Sequence, residues 1–312
     1  FSRLTIENRA SSYTVPRIDI VDKEVIYRSK IYFTPLRSAT EIDAEAVKRI
    51  VREEYQAAGM TPEMLRTGAV IITGETARKE NANEVLEALS DLAGDFVVAT
   101  AGPDLESVLS ARGAGTDALS KEKRTAIANV DIGGGTTDIA VITLGSMACS
   151  TSLKLAGDAL TAAVQRFVQE KYQIVVGENM AERIKIALGS VAPLPVPLSF
   201  EVSGKDLATA SPRTIALSDT DTREAFQPIT EKLVSAVMGI LEVTPPELGA
   251  DIMRQGMLLT GGGALLRGFA DRITRATRIP VYVDSDPLTT VLRGAGITLD
   301  DPEKYRDLLI EC

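Results

Sequence analysis

The hydrophobic residues of this chain keep two rhythms, one of period two and one of helical spacing, and the rhythms alternate along most of its length. Residues 4–6, 13–20 and 25–33 are strand-like runs separated by polar turns. From 42 to 58 the positions Ile42, Ala46, Val47, Ile50, Val51 and Tyr55 line one helical face, which Gly59 ends. Thr61-Pro62 opens a short helix, with proline where a first turn tolerates it. Residues 69–73 and 96–100 are short apolar runs of the kind buried strands have, and a helix to about residue 92 lies between them. Gly102-Pro103 leads into a helix over 104–110, and the polar stretch 116–124 reads as a linker.

The second half opens with strand, glycine turn and strand over 126–144. Gly157-Asp158 caps a helix over 159–171, and a second helix covers 178–188. A proline-rich passage precedes strands at 198–202 and 213–217, then comes a long helix over 221–243. Pro245-Pro246-Glu247 starts a short helix, and 256–260 is a buried strand. Gly261-Gly262-Gly263 then opens a helix over 264–277, followed by a strand at 280–284 and a helix at 287–293. Alternating elements of this kind make an α/β fold.

One pattern occurs twice. Val98-Ala99-Thr100, Pro103, Ser107-Val108-Leu109 and Arg112-Gly113-Ala114-Gly115 are echoed by Val281-Tyr282-Val283, Pro287, Thr290-Val291-Leu292 and Arg293-Gly294-Ala295-Gly296. Each copy ends its half, which implies two similar α/β domains around a pseudo-two-fold, with a ligand cleft between them. Small residues at both helix ends allow a close crossing where a hinge could work.

The turn Gly133-Gly134-Gly135-Thr136-Thr137 carries the first chemistry. Strand residues flank it on both sides, so it is a hairpin, unlike the strand-to-helix loop of a dinucleotide fingerprint. A P-loop fits no better, because Gly204-Lys205 has Ser199 where the earlier glycine belongs. Consecutive glycines let backbone amides converge on phosphate oxygens. Asp131 could hold a hydrated magnesium ion, and Thr136 and Thr137 could bond phosphate or a water. An ordinary glycine-rich hairpin is the plainer alternative. Gly261, Gly262 and Gly263 form a second turn where a phosphate or nucleoside can approach; a simple tight turn is the alternative there. Glu182 and Lys185 share a helix face, an arrangement that is usually a solvated ion pair.

Composition narrows the functions. A chain of 312 residues suits two domains. The net charge of −9 argues against nucleic acid as a partner. The absence of histidine removes histidine triads, histidine-ligated zinc and histidine bases together. Cys149 and Cys312 make no disulfide framework, so a reducing cytoplasm is expected. No apolar stretch approaches the roughly 20 residues of a membrane span. The chain opens without Met, inside a strand and with no signal peptide, as a piece of a longer protein would.

Residues 128–301 resemble the MreB family of bacterial actins. The resemblance rests on Asp131 through Ile142, Ala156-Gly157-Asp158, Ala181-Glu182-Arg183-Ile184-Lys185, Thr244-Pro245-Pro246-Glu247-Leu248, Leu259 through Gly268, and Asp286-Pro287-Leu288-Thr289. Residues 1–145 instead resemble the EutA family of ethanolamine ammonia-lyase reactivating factors. There it rests on Tyr32-Phe33-Thr34-Pro35, Tyr55-Gln56-Ala57-Ala58-Gly59, Ile71 through Ala82 and Gly94 through Ser107. The two meet at the glycine hairpin, as in a hybrid.

Both families belong to the superfamily of actin, heat-shock and sugar-kinase ATPases. The resemblance therefore implies a duplicated, ribonuclease H-like two-domain fold with a nucleotide cleft between domains. It places an EutA-like domain at 1–124 and an MreB-like domain at 125–312, with a last helix over 287–312 crossing back. It implies ATP and Mg2+, with Asp131 facing the metal and Asp131, Thr137 and Glu75 (or Glu80) in catalysis. Gly133, Gly134, Gly135, Thr136, Thr137, Gly157 and Asp158 would hold phosphate. Glu182, Lys185, Gly261, Gly262 and Gly263 would hold the nucleoside. The families' first phosphate hairpin would precede Phe1, outside this chain. The implied role is a filament-forming cell-shape ATPase lying under the membrane, with ethanolamine ammonia-lyase reactivation by cobalamin exchange as the alternative. A small-molecule kinase is weaker, since no acceptor site or catalytic base is evident.

Overall fold

The computed structural model describes residues 1–11, 14–32, 34–38, 40–65, 68–72, 80–82, 84–85, 89, 96–100 and 103–300. They fall into two compact units, one drawing on residues up to Thr100 and from Thr298, the other on Ala101–Ile297.

In the first unit, β1 (Ser2–Ser11) and β2 (Thr14–Val25) form one antiparallel hairpin. The runs at 4–6 and 13–20 are thus parts of longer strands, and the run at 25–33 is not a third one. β2 stops at Val25, and the described residues from 26 to 32 are irregular. There Tyr27 and Tyr32 both donate their hydroxyls to Glu54, Tyr27 at 2.6 Å, which holds the segment to α1 (Ala44–Ala58) instead of a sheet edge. The α1 helix ends at Gly59 as its spacing predicts, but it starts at Ala44, since Ile42 forms a β-bridge with Leu36. Asp43 accepts from the Ala46 amide at 3.0 Å, and Gly59 takes a left-handed φ of 65°. Ile42, Ala82, Val85 and Leu89 form the small core. The parallel pair β3 (Gly68–Ile72) and β4 (Phe96–Thr100) completes the unit.

The second unit opens with helices α2 (Pro103–Gly113) and α3 (Thr116–Lys123). Strands β5 (Ala126–Ile132), β6 (Thr137–Thr143) and β7 (Ser146–Leu153) lead to α4 (Gly157–Tyr172), β8 (Ile174–Val175) and α5 (Glu178–Leu188). Then come β9 (Ser199–Asp206), β10 (Pro212–Ser218), α6 (Asp219–Val243) and α7 (Pro246–Gln255). Last are β11 (Met257–Thr260), α8 (Phe269–Thr277), β12 (Val281–Val283) and α9 (Thr290–Asp300).

The main sheet runs β12-β11-β5-β6-β7; β12, β11 and β5 are parallel, while β6 and β7 are antiparallel additions. Every residue of β5 is buried, which explains why its sequence is apolar nearly throughout. A smaller sheet, β10-β9-β8, stands apart in sequence order. Phe226 of α6 and Phe269 of α8 are fully enclosed in the core, each contributing roughly 1.5–3 kcal/mol of burial energy.

Several expectations need correction. The linker at 116–124 is helix α3, because Gly115 turns the chain at a φ of 76° and Thr116 caps Ala111 O at 2.9 Å. Strand β7 went unpredicted; its polar sequence sits half-exposed on the sheet's outer edge. The long helix starts at Asp219, since Asp221 accepts from both the amide and hydroxyl of Ser218 at 2.8 Å. The helix expected over 264–277 is broken: Gly262–Leu265 is a 3-10 turn, Gly268 has a φ of 78°, and α8 begins after it. Near the end, Pro287–Thr289 is a 3-10 turn and α9 runs straight through Gly294-Ala295-Gly296 rather than stopping there.

The repeated Arg-Gly-Ala-Gly segments meet. Gly113 of α2 and Gly294 of α9 hold equivalent places in the two copies; the Thr290 carbonyl occupies the space of a Gly113 Cβ and the Leu109 carbonyl that of a Gly294 Cβ, with the other glycine's nitrogen close by in each case. Arg293 fastens the crossing: its Nε donates to Gly113 O at 3.1 Å, and its guanidinium pairs with Asp284.

Candidate functional site: a glycine hairpin locked to a helix start

The hairpin turn between β5 and β6 closes with Gly133 N donating to Thr136 O at 2.9 Å. The Gly134 and Gly135 amides make no bond to a described carbonyl. The turn is pinned from below by the start of α4. Gly157 N donates to Gly133 O at 3.1 Å and Asp158 N to Gly134 O at 2.8 Å. A Cβ on Gly157 would lie 3.2 Å from Gly133 O and 3.3 Å from Lys185 Nζ, so the approach of the helix start to the turn is close.

Glu182 and Lys185 belong to the same cluster. Lys185 Nζ donates to Gly157 O at 3.1 Å and pairs with Glu182 at 2.6 Å, and Thr161 donates to Glu182. Their side chains are 18% and 16% exposed, so the pair is not the solvated one that its spacing suggests. It links α5 to the helix start that carries the turn.

Asp131, the last residue but one of β5, stands opposite Asp138 of β6, with Thr260 of β11 beside it on the other flank. It is 4% exposed, and its Oδ2 takes no hydrogen bond from a described residue. Burial pushes the Asp131 carboxyl up from 3.8 to about 6; the Asp138 charge adds to this, while hydrogen bonds from Ser110 and Thr260 oppose it. An enclosed carboxylate oxygen with an open lone pair, beside a second carboxylate, suits a hard cation that keeps waters and takes phosphate as its other ligands. Among the described residues no group of three or more acidic, cysteine or histidine side chains forms a complete metal cage.

The second glycine turn abuts this carboxylate. Gly261 has a φ of 77°, and its missing Cβ leaves room for Asp131 Oδ1 and Ile132 O; Gly263 does the same for the Ile132 side chain. Gly262 is exposed and not left-handed, and a Cβ there would meet only Leu288 Cδ2 at 3.3 Å. Gly261, not Gly262, is therefore the constrained position. Gly261→Ala should cost about 1–3 kcal/mol in urea unfolding through φ strain and displacement of Asp131, while Gly262→Ala stays near wild type. Equal stability of both variants would refute this reading of the turn.

Thr137 changes role. Its buried hydroxyl donates to Leu155 O at 2.7 Å, tying the hairpin to the chain entering α4, so its proton is not available to a ligand. Thr136 remains the hydroxyl of the turn. Glu75 lies outside the described residues. Sequence reasoning missed Asp138, Ser110 and Thr260; the hairpin register would have paired Asp138 with Asp131, but nothing local marks Ser110.

Sheet order, glycine hairpin and second glycine turn define the class: this is an actin-like protein of the ATPase superfamily that contains the bacterial actins. Within it the chain belongs to the family of the ethanolamine utilisation protein EutA, whose model matches residues 1–189, and over residues 128–298 it matches the family of the cell division protein FtsA. It is similar to the cell shape-determining protein MreB of Escherichia coli (strain K12), 44% identical over 195 residues, covering 62% of this chain and 55% of that protein. The ethanolamine ammonia-lyase reactivase EutA of Salmonella typhimurium is 39% identical over 173 residues, 55% of this chain and 37% of that protein. The chain thus spans about half, or less, of the curated relatives it matches. Among solved structures, that of MreB5 of Spiroplasma citri bound to AMPPNP aligns with a TM-score of 0.69 at 26% identity, covering 87% of this chain and 83% of that one. A MamK double helical filament aligns with a TM-score of 0.61 at 21% identity, covering 83% and 76%, a likeness of fold alone. No described helix is long and apolar enough to cross a membrane.

Proposed function

We propose that the chain binds ATP with magnesium and works as an MreB-like, filament-forming cytoskeletal ATPase in the cytoplasm, beneath the membrane. The observation that carries the nucleotide reading is the lock between the glycine hairpin and α4, which holds the turn with the Gly134 and Gly135 amides bonded to no described carbonyl. An AMPPNP-bound MreB5 of the same fold supports it. The Gly133–Thr136 turn and Asp158 take the phosphates, and Gly261–Gly263 with Glu182 and Lys185 take the nucleoside. Asp131 holds magnesium, which when bound offsets charge on the phosphate oxygens. A water-orienting role for Glu75 belongs to the same proposal, as do an EutA-like domain at 1–124 and an MreB-like one at 125–312. Filaments then follow from a ligand that binds one conformation better than the other.

The second reading, reactivation of ethanolamine ammonia-lyase, is favoured by the EutA match over residues 1–189. One experiment separates them. With ATP and magnesium, the cytoskeletal reading expects sedimenting filaments whose light scattering rises with protein concentration. The reactivase reading expects no filaments and restored turnover of cobalamin-inactivated ethanolamine ammonia-lyase. Failure to bind a fluorescent ATP analogue would remove both.

A further inference from the structure

The start of α4 spends its first two amides on the hairpin. A helix start leaves these donors without intrahelical partners. Here Gly157 N donates to Gly133 O at 3.1 Å and Asp158 N to Gly134 O at 2.8 Å. A trans peptide sets its C=O and its N–H on opposite sides. Drawing the Gly133 and Gly134 carbonyls toward α4 therefore turns the N–H groups of Gly134 and Gly135 away from it. Neither of those amides bonds a described carbonyl.

The carbonyl of Gly157 belongs to the same peptide as the Asp158 N–H. It accepts from Lys185 Nζ and from the Thr161 hydroxyl, each at 3.1 Å. Glu182, 2.6 Å from the ammonium, keeps it in that place, and the two side chains are largely buried. A charged donor on a carbonyl polarises the whole peptide and makes its N–H a stronger donor, and hydrogen-bonded peptides pass the effect along. The line runs from Lys185 through the Gly157–Asp158 peptide and the Gly134–Gly135 peptide to the Gly135 N–H.

We propose that Lys185 is a positioning residue for the phosphate chain: through Gly157 O it steadies the hairpin turn and strengthens the Gly135 amide as a donor. This duty is separate from the nucleoside contact given to Lys185 above, and it rests on the same ATP reading. Thr161 serves the same carbonyl with a neutral donor.

The test separates the phosphate end of the ligand from the nucleoside end. A fluorescent ATP analogue is titrated into wild type, Lys185→Met and Thr161→Val at one magnesium concentration, and ATP and AMP are then measured by competition. In Lys185→Met the preference for ATP over AMP is expected to fall roughly tenfold, the low end of what a hydrogen bond to a charged group is worth. Thr161→Val should shift the preference the same way by less, and it carries the test if Lys185→Met does not fold. Equal losses for ATP and AMP, as a direct nucleoside contact or general damage would give, overturn the proposal, and so does an unchanged preference. A second readout needs no ligand: with 15N-glycine labelling, the Gly135 amide resonance of Lys185→Met is expected to move from its wild-type position, and an unmoved resonance overturns the relay. If wild type itself fails to bind the ATP analogue, the ATP reading fails separately.

Discussion

Asp131→Asn is expected to make the ligand-free protein more stable at pH 7 while removing magnesium-dependent nucleotide binding. The Asp131 carboxyl is pushed up to about 6 because the folded protein buries it beside Asp138. Folding therefore favours its protonated form. A raised carboxyl pKa means that the folded state binds more protons than the unfolded one between about pH 4 and pH 6, so stability falls as pH rises through that window. Above it the full penalty of a buried charge remains. A shift of this size corresponds to at most about 3 kcal/mol, several degrees in Tm. Asparagine keeps an oxygen for Ser110 and Thr260 and carries no charge toward Asp138. Melts of wild type and variant should diverge at pH 7 and converge near pH 4. A variant less stable than wild type at pH 7 would show that Asp131 is held by contacts stronger than its burial cost. The opposed signs, stability gained and ligand lost, mark strain kept for function rather than for folding.

The parts of this molecule that were legible in sequence are those whose cause is local. A run of glycines between two apolar strands announces a hairpin, and Asp43 and Gly59 bracket a helix through contacts within a turn of themselves. The Glu182–Lys185 pair could be placed on a helix, but its burial against Gly157 could not be read, because the partner comes from another helix. Strand β7 and helix α3 failed for a related reason: Ser146–Leu153 and Thr116–Lys123 are polar, and tertiary pairing, not propensity, holds them. Ser110 was invisible altogether. Its meaning lies in Thr260, 150 positions away along the chain.

The same distinction sets the second large effect. Gly113→Val and Gly294→Val are each expected to destabilise the protein by about 3 kcal/mol or more, beyond any other glycine substitution in the described chain. A Cβ on Gly113 would collide with the Thr290 carbonyl and lie 2.8 Å from Gly294 N. A Cβ on Gly294 would collide with the Leu109 carbonyl and lie 3.0 Å from Gly113 N. These obstacles are backbone atoms of the opposing helix, which cannot rotate aside as a side chain can. Relief would require α2 and α9 to separate. Arg293 resists that movement through Gly113 O, Asp286 O at 2.9 Å and its pairing with Asp284. Gly239 supplies the control, since it lies in α6 with nothing within 4 Å of a built Cβ. Gly239→Ala should stabilise by roughly 0.5–1 kcal/mol, as expected for alanine over glycine in a helix interior. Urea unfolding of the three variants measures all of these, and a Gly113→Val protein as stable as wild type would mean that the helices do not touch at their glycines. Ser110 lies one turn before Gly113 on α2, so forcing the crossing apart also pulls on its contacts with Thr260 and Asn129, the neighbours of Asp131 on β11 and β5. The Gly113 variant should therefore lose magnesium-dependent binding at urea concentrations where it is still folded.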